Sequence, residues 1–244
     1  DLISYTVMVE EMAEHWTSVL KDLKLYPQLT VEKNATSAWA FRKGSPQLKA
    51  EVDHFISHHK KGSLHGNILF KRYFGKPATI KESRSKEAMD RFISTEAIFK
   101  KYGEQYQLDW LLMVAQGYQE SGLNQNLRSH AGAVGIMQIK PSTAAWKPIG
   151  IHNVNVVENN IHASAKYMRY IIDNYFGDSL MDPLNRQLFA LAAYNAGPAR
   201  VAGLRRKAKA QGLNQNIWFG HVELMAAHSI GRETPQYVSN IYKY

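Results

Sequence analysis

Hydrophobic positions along the chain follow two periods, and the change falls between residues 75 and 86. Before it, residues 3–9 alternate apolar and polar side chains as a half-buried strand does, and residues 29–32 and 37–42 read as further strands. Between and after them come helical spacings. Met12, Trp16 and Val19 share one face of a helix over residues 10–20, and Leu48, Val52, Phe55 and Ile56 mark the buried side of another that ends near His59. Ser45 stands where a cap belongs, with Pro46 at the first helical position. A short helix over residues 64–74 closes this mixed α/β stretch. Residues 76–86 lose apolar periodicity and gain lysine, proline and serine, which predicts a linker.

Beyond the linker every apolar pattern has the helical period. Met89, Phe92, Ile93 and Ala97 share a face; residues 110–118 are apolar nearly all round, behind Asp109 as a cap; Ile161, Ala165, Met168, Ile171, Ile172 and Tyr175 line a long helix. Pro141, Asp182-Pro183 and Thr234-Pro235 mark helix starts. The chain is therefore expected to be α+β overall, with an α/β segment over 1–75, a linker over 76–86 and an all-α domain over 87–244.

One carboxylate changes this picture from architecture to chemistry. Glu120 ends the apolar run that begins at Trp110, and burial raises a carboxyl pKa because it disfavours the charged form. An acid delivered from a dry helix into a cleft can donate a proton near neutral pH. The alternative is a glutamate that merely solvates the helix end.

Composition narrows the setting. The 244 residues carry no cysteine, which removes disulfides and thiolate metal sites, and no apolar run is long enough to span a bilayer. The start of the chain has neither an initiator methionine nor the basic and apolar regions of an export signal, which suggests a mature or excised piece. A formal charge of +9 favours polyanionic partners. The basic clusters Lys60-Lys61, Lys71-Arg72 and Arg205-Arg206-Lys207 lack interleaved aromatics, so they read as solvated faces and nucleic acid is not expected as a partner. His54 and His58 lie four apart on one helical face, but no carboxylate accompanies them in a metal pattern, so neither metal nor cofactor is expected.

Four short motifs stand in order: Glu120-Ser121, Gly135-Ile136-Met137-Gln138, Ala193-Tyr194-Asn195-Ala196-Gly197, and Glu233-Thr234 followed by Tyr237-Val238. In this order and spacing the region from about residue 86 onward resembles the soluble-type lytic transglycosylases of family 1, which have a goose-lysozyme-like fold. The stretch Trp39-Ala40-Phe41-Arg42-Lys43-Gly44-Ser45-Pro46, with its flanking elements, resembles part of a periplasmic solute-binding module. Together they are most similar to the F type of membrane-bound lytic murein transglycosylase, in which such a module precedes the catalytic domain.

The resemblance implies the following. Glu120 falls on the catalytic acid; Ser129, Met137 and Gln138 fall on the glycan groove; Tyr194 and Asn195 fall on its second wall; Tyr237 approaches the catalytic carboxyl. Ile136 replaces the leucine frequent in the family, a volume-conserving change. Residues 203–220, read as a loop, match poorly. The implied substrate is the glycan strand of peptidoglycan, with a muropeptide as a ligand of the front segment. The implied location is the periplasm, with the parent protein attached to the outer membrane.

The motifs supply one carboxylate where glycoside hydrolases ordinarily use two. One suffices if the sugar provides the nucleophile, so that cleavage between N-acetylmuramic acid and N-acetylglucosamine leaves a 1,6-anhydro end. Glu233 is the carboxylate that would restore hydrolysis if it faced Glu120. A hydrolase of the goose-lysozyme kind and a non-catalytic muropeptide sensor remain the alternatives.

Overall fold

The computed structural model describes residues 5–20, 22–33, 38–74 and 85–244. The chain divides into two compact units, Asp1–Glu82 and Ser83–Tyr244.

Among the described residues of the first unit the helices are α1 (Glu10–Val19), α2 (Pro46–His59) and α3 (Leu64–Phe74). The strands expected at 3–9, 29–32 and 37–42 do not form among the described residues, which in this unit are helix and irregular chain. The physical reason is pairing: a strand is stable only when a neighbour takes up its backbone N–H and C=O groups. Here the alternating apolar side chains meet solvent instead, with Val7, Leu29 and Val31 each more than 70% exposed. Leu48, Phe55 and Ile56 of α2 are likewise exposed rather than buried, and Ser45 makes no side-chain cap bond. Residues 3, 4 and 37 of the expected strands, and most of the expected linker, lie outside the described residues.

The second unit is helical. Its elements are α4 (Lys86–Tyr106), α5 (Trp110–Ser121), α6 (Pro141–Ala145), α7 (Val157–Tyr175), α8 (Pro183–Ala196), α9 (Pro198–Ala210), α10 (Glu223–Ser229) and α11 (Glu233–Lys243). Residues 203–210 therefore continue a helix rather than a loop, and α11 begins two residues before Pro235. A kink at Phe219 and Gly220 joins the connecting turn to α10.

Local chemistry explains the boundaries. The Asp109 carboxylate accepts the N–H groups of Leu111 and Leu112 and starts α5; Asp182 accepts Asn185 N–H at 2.8 Å and starts α8 behind Pro183. Gly122, at φ 61°, ends α5 in the left-handed conformation. Gly197, at φ 93° and ψ 137°, ends α8 and directly precedes Pro198, so one residue stops one helix and starts the next.

The core lies along α7 and α8. Ile161, Ala165, Ile171, Phe176, Phe189, Leu191 and Trp218 are fully buried there, and α4, α5, α9 and α11 pack around this pair. On α4 the buried stripe runs through Ala88, Thr95, Phe99 and Tyr102, so Met89 and Ile93 face solvent, contrary to the expected face. A smaller cluster of Val134, Ile139, Ala144, Ile149, Val154 and Ala163 supports the chain between α5 and α7.

Candidate active site

Glu120 is one residue short of the end of α5, where the helix passes from the core toward the surface. Tyr237 of α11 donates its hydroxyl to Glu120 Oε1 at 2.6 Å. Burial pushes the Glu120 carboxyl from its ordinary 4.5 up to about 7, and the Tyr237 hydrogen bond pulls in the opposite direction without overcoming it. Neither influence is another carboxylate. Glu233, the candidate second acid, is exposed in the first turn of α11.

Tyr237 itself is buried, and desolvation, followed by the Glu120 charge, raises its phenol well above the ordinary range, so it stays a proton donor. Gln116, one helical turn before Glu120 on α5, is fully buried. It lies close enough to the Tyr237 hydroxyl to draw that phenol's pKa down, although neither of its amide atoms reaches hydrogen-bond geometry. Tyr194 faces Glu120 from α8; burial and then the Glu120 charge raise its phenol as well. Its hydroxyl donates to Met137 O at 2.9 Å and lies 3.1 Å from the Ser164 hydroxyl.

The segment from Gly122 to Lys140 reaches this place without a sheet; side chains hold it. Ser121 Oγ donates to Ile136 O at 2.8 Å. Gln125 accepts Ile136 N–H and donates to Val154 O and Asn155 O. Asn160, fully buried on α7, accepts Met137 N–H at 2.9 Å and donates to Val134 O and Val154 O. Gly135, at φ 76°, passes so near these amides that a Cβ would stand 2.5 Å from Asn160 Nδ2. At Gly117 of α5 the approach is looser, a Cβ there standing 3.0 Å from Ile136 and 3.1 Å from Leu123 and Met137.

The expected site residues fare differently. Glu120, Tyr237 and Tyr194 come together. Asn195 is exposed, and its Oδ1 accepts the Thr234 hydroxyl at 2.7 Å, joining α8 to the start of α11. Gln138 takes a left-handed φ of 45° and spends its amide N–H on Gly135 O and Leu127 O, which leaves Oε1 as its outward acceptor. Ser129 is exposed and accepts Ala133 N–H within a small loop. Met137 does not line a groove: it is fully buried, because the backbone turn that Asn160 holds directs it against Gly117. Its part in the site is its carbonyl.

Sequence reasoning missed Gln116, Gln125, Asn160 and Ser164. A polar residue in an otherwise apolar helical stripe was the available signal for Gln116, Asn160 and Ser164; Gln125 gave none. Arg205, read as part of a solvated face, instead donates to Gln215 O and pairs with Asp178 at 3.3 Å. Among the described residues no group of three or more histidine, aspartate or glutamate side chains is placed to hold a metal ion.

Residues 97–217 match the family model described as Transglycosylase SLT domain, and the span holds Glu120, Gln138, Tyr194 and Asn195. Over this span the chain resembles a transglycosylase SLT domain. Across the chain the similarity runs to proteins named membrane-bound lytic murein transglycosylase F. That of Desulfosudis oleivorans is 27% identical over 92% of this chain and 53% of its own length. That of Shewanella woodyi is 36% identical over 59% of this chain and 33% of its own length, and that of Pseudomonas fluorescens 29% identical over 86% and 46%. The chain thus spans about half the length or less of these relatives. Among solved structures, an inactive mutant of the lytic transglycosylase Slt from Pseudomonas aeruginosa superposes with a TM-score of 0.48 at 22% identity, covering 80% of this chain and 28% of that one. Tyr237, which donates its hydroxyl to Glu120, lies beyond the matched span.

Proposed function

We propose that the chain is a peptidoglycan lytic transglycosylase in which Glu120 is the sole acid and base, on a lysozyme-like catalytic domain over residues 87–244. The observation that carries this reading is a lone carboxyl with a pKa of about 7, shifted by burial and held at one oxygen by the Tyr237 hydroxyl. Near neutral pH both of its protonation states are populated, as a group that first gives and then takes a proton requires.

With Tyr237 on Oε1, Oε2 is left for the substrate. Protonated Glu120 gives its proton to the glycosidic oxygen between N-acetylmuramic acid and N-acetylglucosamine, and the C1–O bond breaks. Charge at C1 is met by the sugar's own acetamido group. Glu120, now anionic, removes the proton from the C6 hydroxyl of the muramic residue as that oxygen bonds to C1. The anhydro product forms, Glu120 is protonated again, and no water is consumed. Tyr194, Gln138 through Oε1, Asn195 and Ser129 are the side chains we assign to the glycan, and Met137 serves through its backbone.

The names of the relatives support a cell-wall substrate; we read the reaction as periplasmic and the parent protein as attached to the outer membrane. Among the described residues no helix is long and apolar enough to cross a membrane. Residues 1–75 are read as part of a solute-binding-like module that takes a muropeptide, joined by a linker over 76–86.

Mass analysis of products from intact peptidoglycan sacculi tests the reaction. Ends lighter by one water than a hydrolysed end are expected. Hydrolysed ends would make the chain a hydrolase, and binding without cleavage would make it a sensor.

A further inference from the structure

Gln116 is the buried polar group around Glu120 to which the reaction above gives no task. It sits one turn before Glu120 on the same face of α5, fully buried, with both amide atoms outside hydrogen-bond geometry. Leaving an amide so placed is unfavourable, whereas a leucine or methionine would fill the same space on a helix without that penalty. The position therefore calls for a polar partner, and the nearest candidate is a hydroxyl already engaged elsewhere.

That hydroxyl is Tyr237. A phenol has one proton and two lone pairs, and the proton goes to Glu120 Oε1. Its oxygen can still accept. The terminal torsion of a glutamine is soft, so a small rotation turns Gln116 Nε2–H toward the phenol oxygen.

We propose that Gln116 is a positioning residue whose amide donates to the Tyr237 hydroxyl oxygen, so that the single phenolic proton is held on Glu120. A chain Gln116 to Tyr237 to Glu120 results, in which each donor strengthens the next. The proposal rests on the reading of Glu120 as the acid only for its catalytic consequence; the chain of hydrogen bonds stands apart from it. The Tyr237 phenol is raised overall by burial and the Glu120 charge, and the downward pull of Gln116 against that rise agrees with donation in this direction.

The other groups that face Glu120 leave room for this effect. Tyr194 approaches from α8 but gives its proton to Met137 O. On α4, Lys100 lies over the ring of Trp110, at the opposite end of α5. On α11, Glu233 stands one turn before Tyr237 but is exposed to solvent, and Lys243 stands in the last turn. In the chain after α5, Arg128 is turned to Asn155 and His130 is exposed.

The test is the carboxyl titration of Glu120, read by carbon-detected NMR in the whole chain. The variants are Gln116→Leu, Tyr237→Phe and the double substitution, with Gln116→Met as the second choice should the leucine variant not fold. Gln116→Leu weakens the Tyr237 bond to the carboxylate, so the Glu120 titration is expected to move up by about half a pH unit, the scale of one modest hydrogen bond. In the Tyr237→Phe background the same substitution is expected to add almost nothing. The alkaline limb of turnover on peptidoglycan should follow the wild-type-background shift, with KM unchanged.

An equal shift with and without the Tyr237 hydroxyl, or no shift in either, overturns the proposal. The titration needs no substrate. Coupling in the absence of any cleavage would remove the transglycosylase reading and leave this one standing, while cleavage without coupling would do the reverse.

Discussion

Replacing Glu120 by glutamine should make the chain more stable, and only above a certain pH. The folded carboxyl titrates at about 7 against an ordinary 4.5, because burial penalises its charge. Its folded pKa is raised, so its contribution is fully present below pH 4.5 and is lost as pH rises through 7. At about 1.4 kcal/mol for each pH unit, the interval corresponds to about 3 kcal/mol. Glutamine is neutral throughout and still offers Tyr237 an acceptor, so it carries no such loss. Thermal unfolding of both proteins from pH 4 to pH 9 checks this. The melting temperatures should nearly coincide near pH 4, diverge between 4.5 and 7, and stay apart above it, with the variant higher by several degrees, on the scale of 2–4 °C for each kcal/mol. A difference that does not change with pH, or a variant less stable at pH 8, would refute the inference that burial controls this carboxyl. The same variant should release no glycan fragments while still binding sacculi.

Tyr237→Phe removes the hydrogen bond that lowers the Glu120 pKa, so the alkaline limb of activity should move upward and kcat should fall by about tenfold, read from a pH profile of glycan release. Asn160→Leu strands Val134 O and Met137 N–H inside the protein and leaves Val154 O with its Gln125 bond; a loss of about 3 kcal/mol in urea unfolding is expected, and a loss under about 1 kcal/mol would mean the stranded groups find other partners. Gly197→Ala meets no atom within 4 Å, so its penalty is torsional alone, about 1–3 kcal/mol, and should appear as a lower melting temperature.

What was legible beforehand follows from where the information lies. The helical unit could be read because caps and starts are local: Asp109, Asp182 and Pro183 act within one turn. Buried faces were less secure. On α4 the apolar Met89 and Ile93 face solvent, because the stripe through Phe99 and Tyr102 meets α5 and α7. Strands were the least secure, since alternation at residues 5–9 and 29–32 states a preference and only a neighbouring strand can satisfy it. Within the site, Glu120 and its two tyrosines were visible as motifs. Asn160 was not, because its three partners lie 6 to 26 residues away and nothing near it in the chain names them.

The segment after α5 is fastened at a few points by Ser121, Gln125 and Asn160, while residues 126–131 hang outward between those points. Such a construction separates what must stay from what can vary. The exposed residues from Asn126 to Ala131 can be exchanged without redirecting the chain, because none of the fastening bonds belongs to their side chains apart from the Arg128 contact to Asn155 and the Ser129 hydroxyl that accepts Ala133 N–H. A lineage could thus retune which cell-wall variants it accepts, one outward residue at a time, while the acid at the end of α5 stays fixed.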